Sequence, residues 1–267
     1  MTTAASASEL LVEETGGVTT FTLNRPEVLN ALTLAMIKGL SDGLRKAEKD
    51  KKVRCVVLTA AGRAFCAGAD LGDLRKRQAE KAFSLGDELR RHFNPLILQI
   101  RGMEKPVVGA VNGLAAGAGA SLILSCDVKV SSDKATFINA FSRVGLVPDS
   151  GMTYFLPRYM GLSLALEHAW LAKPITAQQA LHFGWVNRVV APDQLAGETA
   201  KFAAELAQCP PLSVGLTKRA LNRSLEDALE GQMEYEAQLQ EILGKTKDHA
   251  EGVSAFLEKR PAKFIGE

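Results

Sequence analysis

Three stretches of the 267-residue chain hold residues whose types and spacing could do chemistry. In FINAFSRVGLVPDSGMTYFLP (137–157) a single acid, Asp149, follows Val144, Leu146 and Val147 and precedes Tyr154 and Phe155. Apolar neighbours desolvate a carboxylate and raise its pKa, which makes it a stronger base than an exposed one. The same Pro-Asp-Ser-Gly run is a good β-turn, and its aspartate could instead cap a helix that begins near Gly151. The other two stretches, AFCAGADL (64–71) and NGLAAGAGASL (112–122), are small-residue loops. Such loops let a ligand approach backbone N–H groups, and a following helix N-terminus favours negative charge. Tight strand-to-helix packing uses the same glycines and alanines. A dinucleotide fingerprint fits the second loop poorly: Leu122 stands where the third glycine belongs, and no ribose-binding acid follows at the usual offset.

These loops need elements to hold them. ELLVEETGGVTTFTLNRP reads as two strands joined at Gly16-Gly17. Met36, Ile37, Leu40, Leu44 and Ala47 recur at helical spacing and predict a helix over 34–49. CVVLTA (55–60) and PVVGAV (106–111) are short apolar runs of the kind buried on both faces, each preceding one small-residue loop, with a helix predicted over 89–100 between them. Strand and helix alternate, as in stacked β-α units. Past Gly161 the pattern turns helical, over 164–171, 177–183, 194–207 and 212–243, and Cys209-Pro210-Pro211 marks a boundary. The expected organisation is a disordered N-terminus over 1–8, a mixed α/β core over 9–200 and a helical C-terminal region over 201–267.

Composition narrows the partners. With 23% charged residues and a net charge of +2, the chain has an ordinary globular composition and lacks the basic excess that nucleic-acid binding leaves. Cys55, Cys66, Cys126 and Cys209 show no close pairing and no secretory pattern precedes them, so reduced thiols in the cytoplasm are expected. His92, His168, His182 and His249 make no metal-ligand spacing, and no metal is expected. No charge occurs between Lys105 and Asp127, about the length of a membrane span. Gly109, Gly113, Gly117, Gly119, Asn112, Ser121 and Ser125 thin its hydrophobicity, so a buried strand and helix are expected there, with no membrane partner.

AFCAGADL, AVNGLAAGAGASLILSCD, FINAFSRVGLVPDSG and EGVSAFLEKRPAKF resemble, in order and spacing, the signature segments of the enoyl-CoA hydratase/isomerase, or crotonase, family. The likeness runs from NRPEVLNAL to the C-terminus. It implies an α/β fold, a crotonase-like spiral of β-β-α units with a helical C-terminal trimerisation region, assembled as a homotrimer or hexamer. The implied substrate is an acyl-CoA thioester; no separate cofactor is implied, because coenzyme A is part of the substrate. Two backbone N–H groups, carried over to Ala69 and Ala118, would hold the thioester oxygen, and Asp149 would be the acid/base. Implied substrate contacts are Val28, Ala31, Ala64, Ala67, Gly68, Asp70, Leu71, Gly117 and Phe141, with Lys259 near the CoA phosphates. The two glutamates of the family's hydratases fall on Ser121 and Phe141, neither of which can exchange a proton as a carboxylate does. One base can move a double bond, whereas adding water calls for more. The resemblance therefore implies an isomerase that shifts a double bond between the 3,4 and 2,3 positions or rearranges a ring epoxide to an oxepin. A hydratase and a non-catalytic acyl-CoA binding protein are the alternatives. A family dehalogenase also has an aspartate at this position, but with tryptophan where Phe141 stands and histidine where Asn94 stands.

Overall fold

The structure is a computed structural model and describes residues 8–79 and 82–267; of the tail expected over 1–8, all but Ser8 lies outside the described residues. In the first hairpin β1 (Leu10–Thr15) pairs antiparallel with β2 (Val18–Leu23), which buries every second residue, Thr19, Phe21 and Leu23. Its two-residue turn requires positive φ twice, and Gly16 (59°) and Gly17 (81°) supply it.

After α1 (Leu34–Lys49), capped by the Thr33 side chain on the Met36 N–H, the chain winds in repeating units. β3 (Cys55–Ala60) and β4 (Ala64–Cys66) are followed by α2 (Leu71–Gln78), α3 (Leu85–Glu88) and α4 (Asn94–Gly102). β5 (Val107–Val111) and β6 (Leu114–Ala116) lead to α5 (Ala118–Ser125), and β7 (Val128–Ser132) and β8 (Thr136–Ile138) lead to α6 (Met152–Met160). Next come α7 (Leu162–Leu171), β9 (Ile175–Thr176), α8 (Ala177–His182), β10 (Arg188–Val190) and α9 (Leu195–Gln208). The first strand of each unit joins one sheet, ordered β1-β2-β3-β5-β7-β10, and the second joins another, ordered β4-β6-β8-β9. This is the β-β-α spiral. Parallel sheets need cover on both faces; accordingly every residue of β5 is buried.

One face of the large sheet packs on α9, where Leu195, Ala203 and Ala207 meet Cys55, Val57, Val108, Ala110 and Val130. The boundary expected between residues 200 and 201 thus falls inside a helix that belongs to the core packing. The larger core holds Phe21, Phe65, Phe137 and Trp185, the last two edge to face at 5.8 Å. Lys129, 1% exposed, spends its ammonium on the Cys126 carbonyl at 2.9 Å and the Tyr159 hydroxyl at 3.2 Å.

Two helix expectations change. The helix expected over 89–100 opens as a π-turn, Leu89–Phe93, because Pro95 has no N–H for regular α-helical bonding; the α-helix then runs to Gly102. The run expected over 212–243 is two helices, α10 (Pro211–Ser224) and α11 (Leu229–Leu243). Asp227 interrupts it, accepting from the Ala228 N–H at 2.9 Å and from Arg223 Nε at 2.8 Å. Local side-chain bonding of this kind competes with helix continuation. α12 (Lys247–Glu258) closes the chain. No described helix is long and apolar enough to cross a membrane.

Candidate active site

The first small-residue loop leaves β4 and is laced to residues 29–32. Ala67 N–H donates to the Leu29 carbonyl at 2.9 Å, Leu32 N–H to the Gly68 carbonyl at 2.8 Å, and Asp70 N–H to the Leu32 carbonyl at 2.9 Å. A residue between two such bonded neighbours in parallel pairing turns its own N–H away from the partner. Ala69 is that residue. Asn30, fully buried, clamps the base of the loop: Nδ2 donates to the Ala61 and Ala64 carbonyls at 2.9 and 2.8 Å, and Oδ1 accepts the Arg25 N–H at 2.8 Å. Asp70 accepts from the Gly72 and Asp73 N–H groups at 3.0 and 3.1 Å, so it caps α2, and it pairs with Arg25 Nη1 at 2.9 Å. The Arg25 hydrogen bond holds its carboxyl below the usual carboxylate range.

The second loop leaves β6, the neighbour of β4 in the smaller sheet. Gly117 N–H donates to the Ile138 carbonyl at 3.0 Å, and Gly117 (φ 49°, ψ −126°) turns the chain into α5. Ala118 opens that helix, so its N–H is one of the groups a helix leaves unpaired. Neither the Ala69 nor the Ala118 N–H has an acceptor among the described residues. Glycine lets the loops meet: a Cβ on Gly68, at φ 106°, would stand 3.1 Å from the Ala116 carbonyl oxygen and 3.6 Å from the Ala118 nitrogen. One on Gly119 would stand 2.5 Å from the Cys66 carbonyl oxygen. Two N–H groups without acceptors on adjoining loops, one of them at a helix N-terminus, suit an oxygen that acquires negative charge.

Asp149 faces the same space from the turn before α6. Its carbonyl accepts the Met152 N–H at 3.0 Å, closing a turn in which Ser150 (52°) and Gly151 (83°) both have positive φ. Ser121, fully buried in α5, also donates Oγ to the Asp149 carbonyl at 3.0 Å. The carboxylate does not cap α6: Gly151 holds the N-cap position and no side chain bonds there. The expected β-turn is present and the capping role is not. Ser150 Oγ donates to Asp149 Oδ1 at 2.8 Å. Burial pushes the Asp149 carboxyl above the usual aspartate range, and the Ser150 hydrogen bond offsets part of that rise. The apolar flank expected to shield it is less enclosing in the single chain than the sequence suggests, since Val147 is 73% exposed. Val144 and Leu146 do line the cavity over Asp149.

That cavity, about 130 Å³, brings together Ala67, Gly68, Ala69, Leu71, Gly117, Ala118, Phe141 and Asp149. Five expected contacts do not line it. Val28 is exposed on the turn Pro26–Val28, Ala64 is buried within β4, Ala31 is half-buried, Asp70 is engaged as a cap, and Lys259 is exposed at the end of α12. Arg77, Glu88 and Phe93 line the cavity unforeseen, the first two as an ion pair. Arg77 and Glu88 lie on separate helices, and no periodic pattern links residues eleven apart. Among the described residues no three His, Cys, Asp or Glu side chains are grouped to hold a metal ion.

Comparison with known proteins finds the same arrangement of chain. The enoyl-CoA hydratase/isomerase family pattern matches residues 13–267. The chain is 42% identical over 251 residues to 1,2-epoxyphenylacetyl-CoA isomerase of Escherichia coli (strain K12), covering 94% of this chain and 96% of that one. It is also 42% identical over 250 residues to the "Probable enoyl-CoA hydratase" of Rhodobacter capsulatus, covering 94% and 95%. The crystal structure of an enoyl-CoA hydratase from Polaromonas sp. JS666 superposes with a TM-score of 0.90 at 31% identity, covering 96% of this chain and 99% of that one. With the spiral, the paired loops and a match over nearly its whole length, this chain belongs to the enoyl-CoA hydratase/isomerase, or crotonase, family.

Proposed function

We propose that the protein is an acyl-CoA isomerase in which Asp149 moves a proton while Ala69 and Ala118 hold the thioester oxygen. The observation that carries this reading is the meeting of two unpaired N–H groups with a half-buried carboxylate on one cavity. Asp149 takes a proton from a carbon of the acyl group; the electron pair moves toward the thioester carbonyl, whose oxygen becomes an enolate oxygen between the two N–H groups. Preorganised donors of this kind contribute about 3–4 kcal/mol each to the barrier lowering. The proton then returns to a different carbon, so the double bond moves and no atom is gained or lost. Rearrangement of a ring epoxide begins from the same enolate. An apolar cavity of about 150 Å³ takes a benzene-sized ring, and about 130 Å³ is of that scale.

Glu88 also lines the cavity, but Arg77 engages it, whereas Asp149 has no cationic partner among the described residues. The "Probable enoyl-CoA hydratase" of Rhodobacter capsulatus is as similar as the isomerase, at 42% identity, and the choice rests on Ser121 and Phe141. The reading extends to CoA lying along Val28, Ala31 and Ala64 with Lys259 near its phosphates, and to a trimer or hexamer joined through the C-terminal helices, where Phe256 is 84% exposed. Asp149→Asn keeps the volume and loses the base. Isomerisation of a 3-enoyl-CoA, followed by ultraviolet absorbance, should vanish while CoA-ester binding persists; turnover at the parent rate would refute Asp149 as the base.

A further inference from the structure

Ser150 directly follows the proposed base and is 3% exposed. Its backbone takes a φ of 52°, a left-handed conformation that an L residue adopts at a cost and glycine does not. Glycine itself stands next, at 151, also at positive φ. A serine in this place buries a hydroxyl, and a buried hydroxyl needs a partner. Ser150 Oγ has one in Asp149 Oδ1 at 2.8 Å, the one hydrogen bond made by either side chain among the described residues. Asp149 Oδ2 is left without a donor among those residues, and Asp149 is a wall of the cavity that Ala69 and Ala118 also line.

An unheld carboxylate can turn either oxygen toward a reacting carbon. A donor on Oδ1 fixes the plane of the group, leaves Oδ2 to accept a proton, and favours the ionised form over the protonated one. We propose that Ser150 is a positioning residue of this site: its hydroxyl holds Asp149 by Oδ1 and assigns proton transfer to Oδ2. Oδ2 takes the proton from one carbon and returns it to another, and Ser150 keeps its own proton throughout. The inference rests on the reading of Asp149 as the base. Charged and titratable groups on the elements around the turn are engaged elsewhere. α5 carries none; on α4 Arg101 pairs with Asp127, and before the turn Arg143 donates to the Ala172 carbonyl. On α6 Arg158 lies over the Tyr154 ring and Tyr159 accepts from Lys129, while on the cavity wall Arg77 and Glu88 pair with each other. Burial and Ser150 are therefore what set the charge of the carboxyl.

Ser150→Ala removes the hydroxyl and keeps the strained backbone, whereas Ser150→Gly removes both. Each should lower kcat about tenfold with KM within about twofold of the parent, because the base loses its orientation while substrate contacts remain. Each should also move the acid limb of the kcat/KM profile up by about one pH unit, because the ionised carboxylate has lost its donor. Carbon NMR of protein labelled at the aspartate carboxyls, assigned against Asp149→Asn, follows the same group without substrate and should show it titrating higher by the same amount. A carboxyl that titrates as in the parent in both variants would overturn the proposal. So would a Ser150→Gly protein that behaves as the parent while Ser150→Ala does not, since the effect would then belong to the backbone. If Ser150→Ala does not fold, Ser150→Gly decides: a raised carboxyl and acid limb support the proposal, and parent values overturn it. A carboxyl that shifts while the activity profile stays in place would instead overturn Asp149 as the base, with the hydrogen bond intact.

Discussion

Ser121 Oγ donates to the Asp149 carbonyl at 3.0 Å, with the Gly117 carbonyl 3.4 Å away as its other acceptor. A residue of the helix that opens with Ala118 thus holds the peptide that carries the proposed base. Where the resemblance places a glutamate of the family's hydratases, this chain has a serine that tethers the Asp149 peptide to α5. Ser121→Ala should lower kcat about tenfold with little change in KM, because the base shifts while substrate contacts remain. The lost hydrogen bond should cost about 1 kcal/mol, or roughly 2–4 °C in Tm. Steady-state kinetics with a melting curve read both; an unchanged kcat would reduce Ser121 to a packing role.

The raised pKa of Asp149 fixes the sign of a pH dependence. Between the ordinary aspartate value and the raised folded value, the native protein binds more protons than the unfolded chain, so stability falls as pH rises through that window. An amide in place of the carboxylate carries no such penalty. Asp149→Asn should therefore be more stable than the parent by about 1 kcal/mol at neutral pH, with the difference disappearing below the ordinary aspartate value of about 4. Urea unfolding above and below the window makes the comparison, and a gain equally large on the acid side would contradict it. Activity should also fail in acid at a pH above that of an ordinary aspartate, because the protonated carboxyl is no base.

Gly68 is the contact between the two loops. Gly68→Ala puts a Cβ 3.1 Å from the Ala116 carbonyl oxygen and strains a φ of 106°. Separating the N–H pair should cost about 10²–10³ in kcat. Circular dichroism should show the fold retained, and activity within about a factor of two of the parent would argue that the pair does not act on the oxygen.

Hydration of crotonyl-CoA should be at least about 100-fold slower than isomerisation, since a missing general acid–base group costs about 10²–10⁴. Parallel assays on one enzyme preparation give the ratio directly. Comparable rates would mean that another group on the cavity wall, with Glu88 the first candidate, activates water.

Chain-local physics was legible in the residues themselves. The Gly16-Gly17 hairpin, the helix Leu34–Lys49 and the strand Cys55–Ala60 follow from periodicity and turn chemistry, which depend on neighbours in sequence. The resemblance to the crotonase family supplied the spiral, and it named Ala69, Ala118 and Asp149, which the fold brings to one cavity. What the tertiary structure alone decided involves partners remote along the chain. Asp149 does not cap α6 because the Ser150-Gly151 turn puts Gly151 at the N-cap, and a serine 28 residues away holds the Asp149 carbonyl. Arg25 and Asn30, which fix the first loop, and the Arg77–Glu88 pair show no local pattern, because a hydrogen bond or ion pair closed by folding leaves no period in the sequence. Burial behaved likewise: Val144 to Val147 are largely apolar by composition, yet the packing of a single chain leaves Val147 in solvent and encloses Asp149 through the cavity instead.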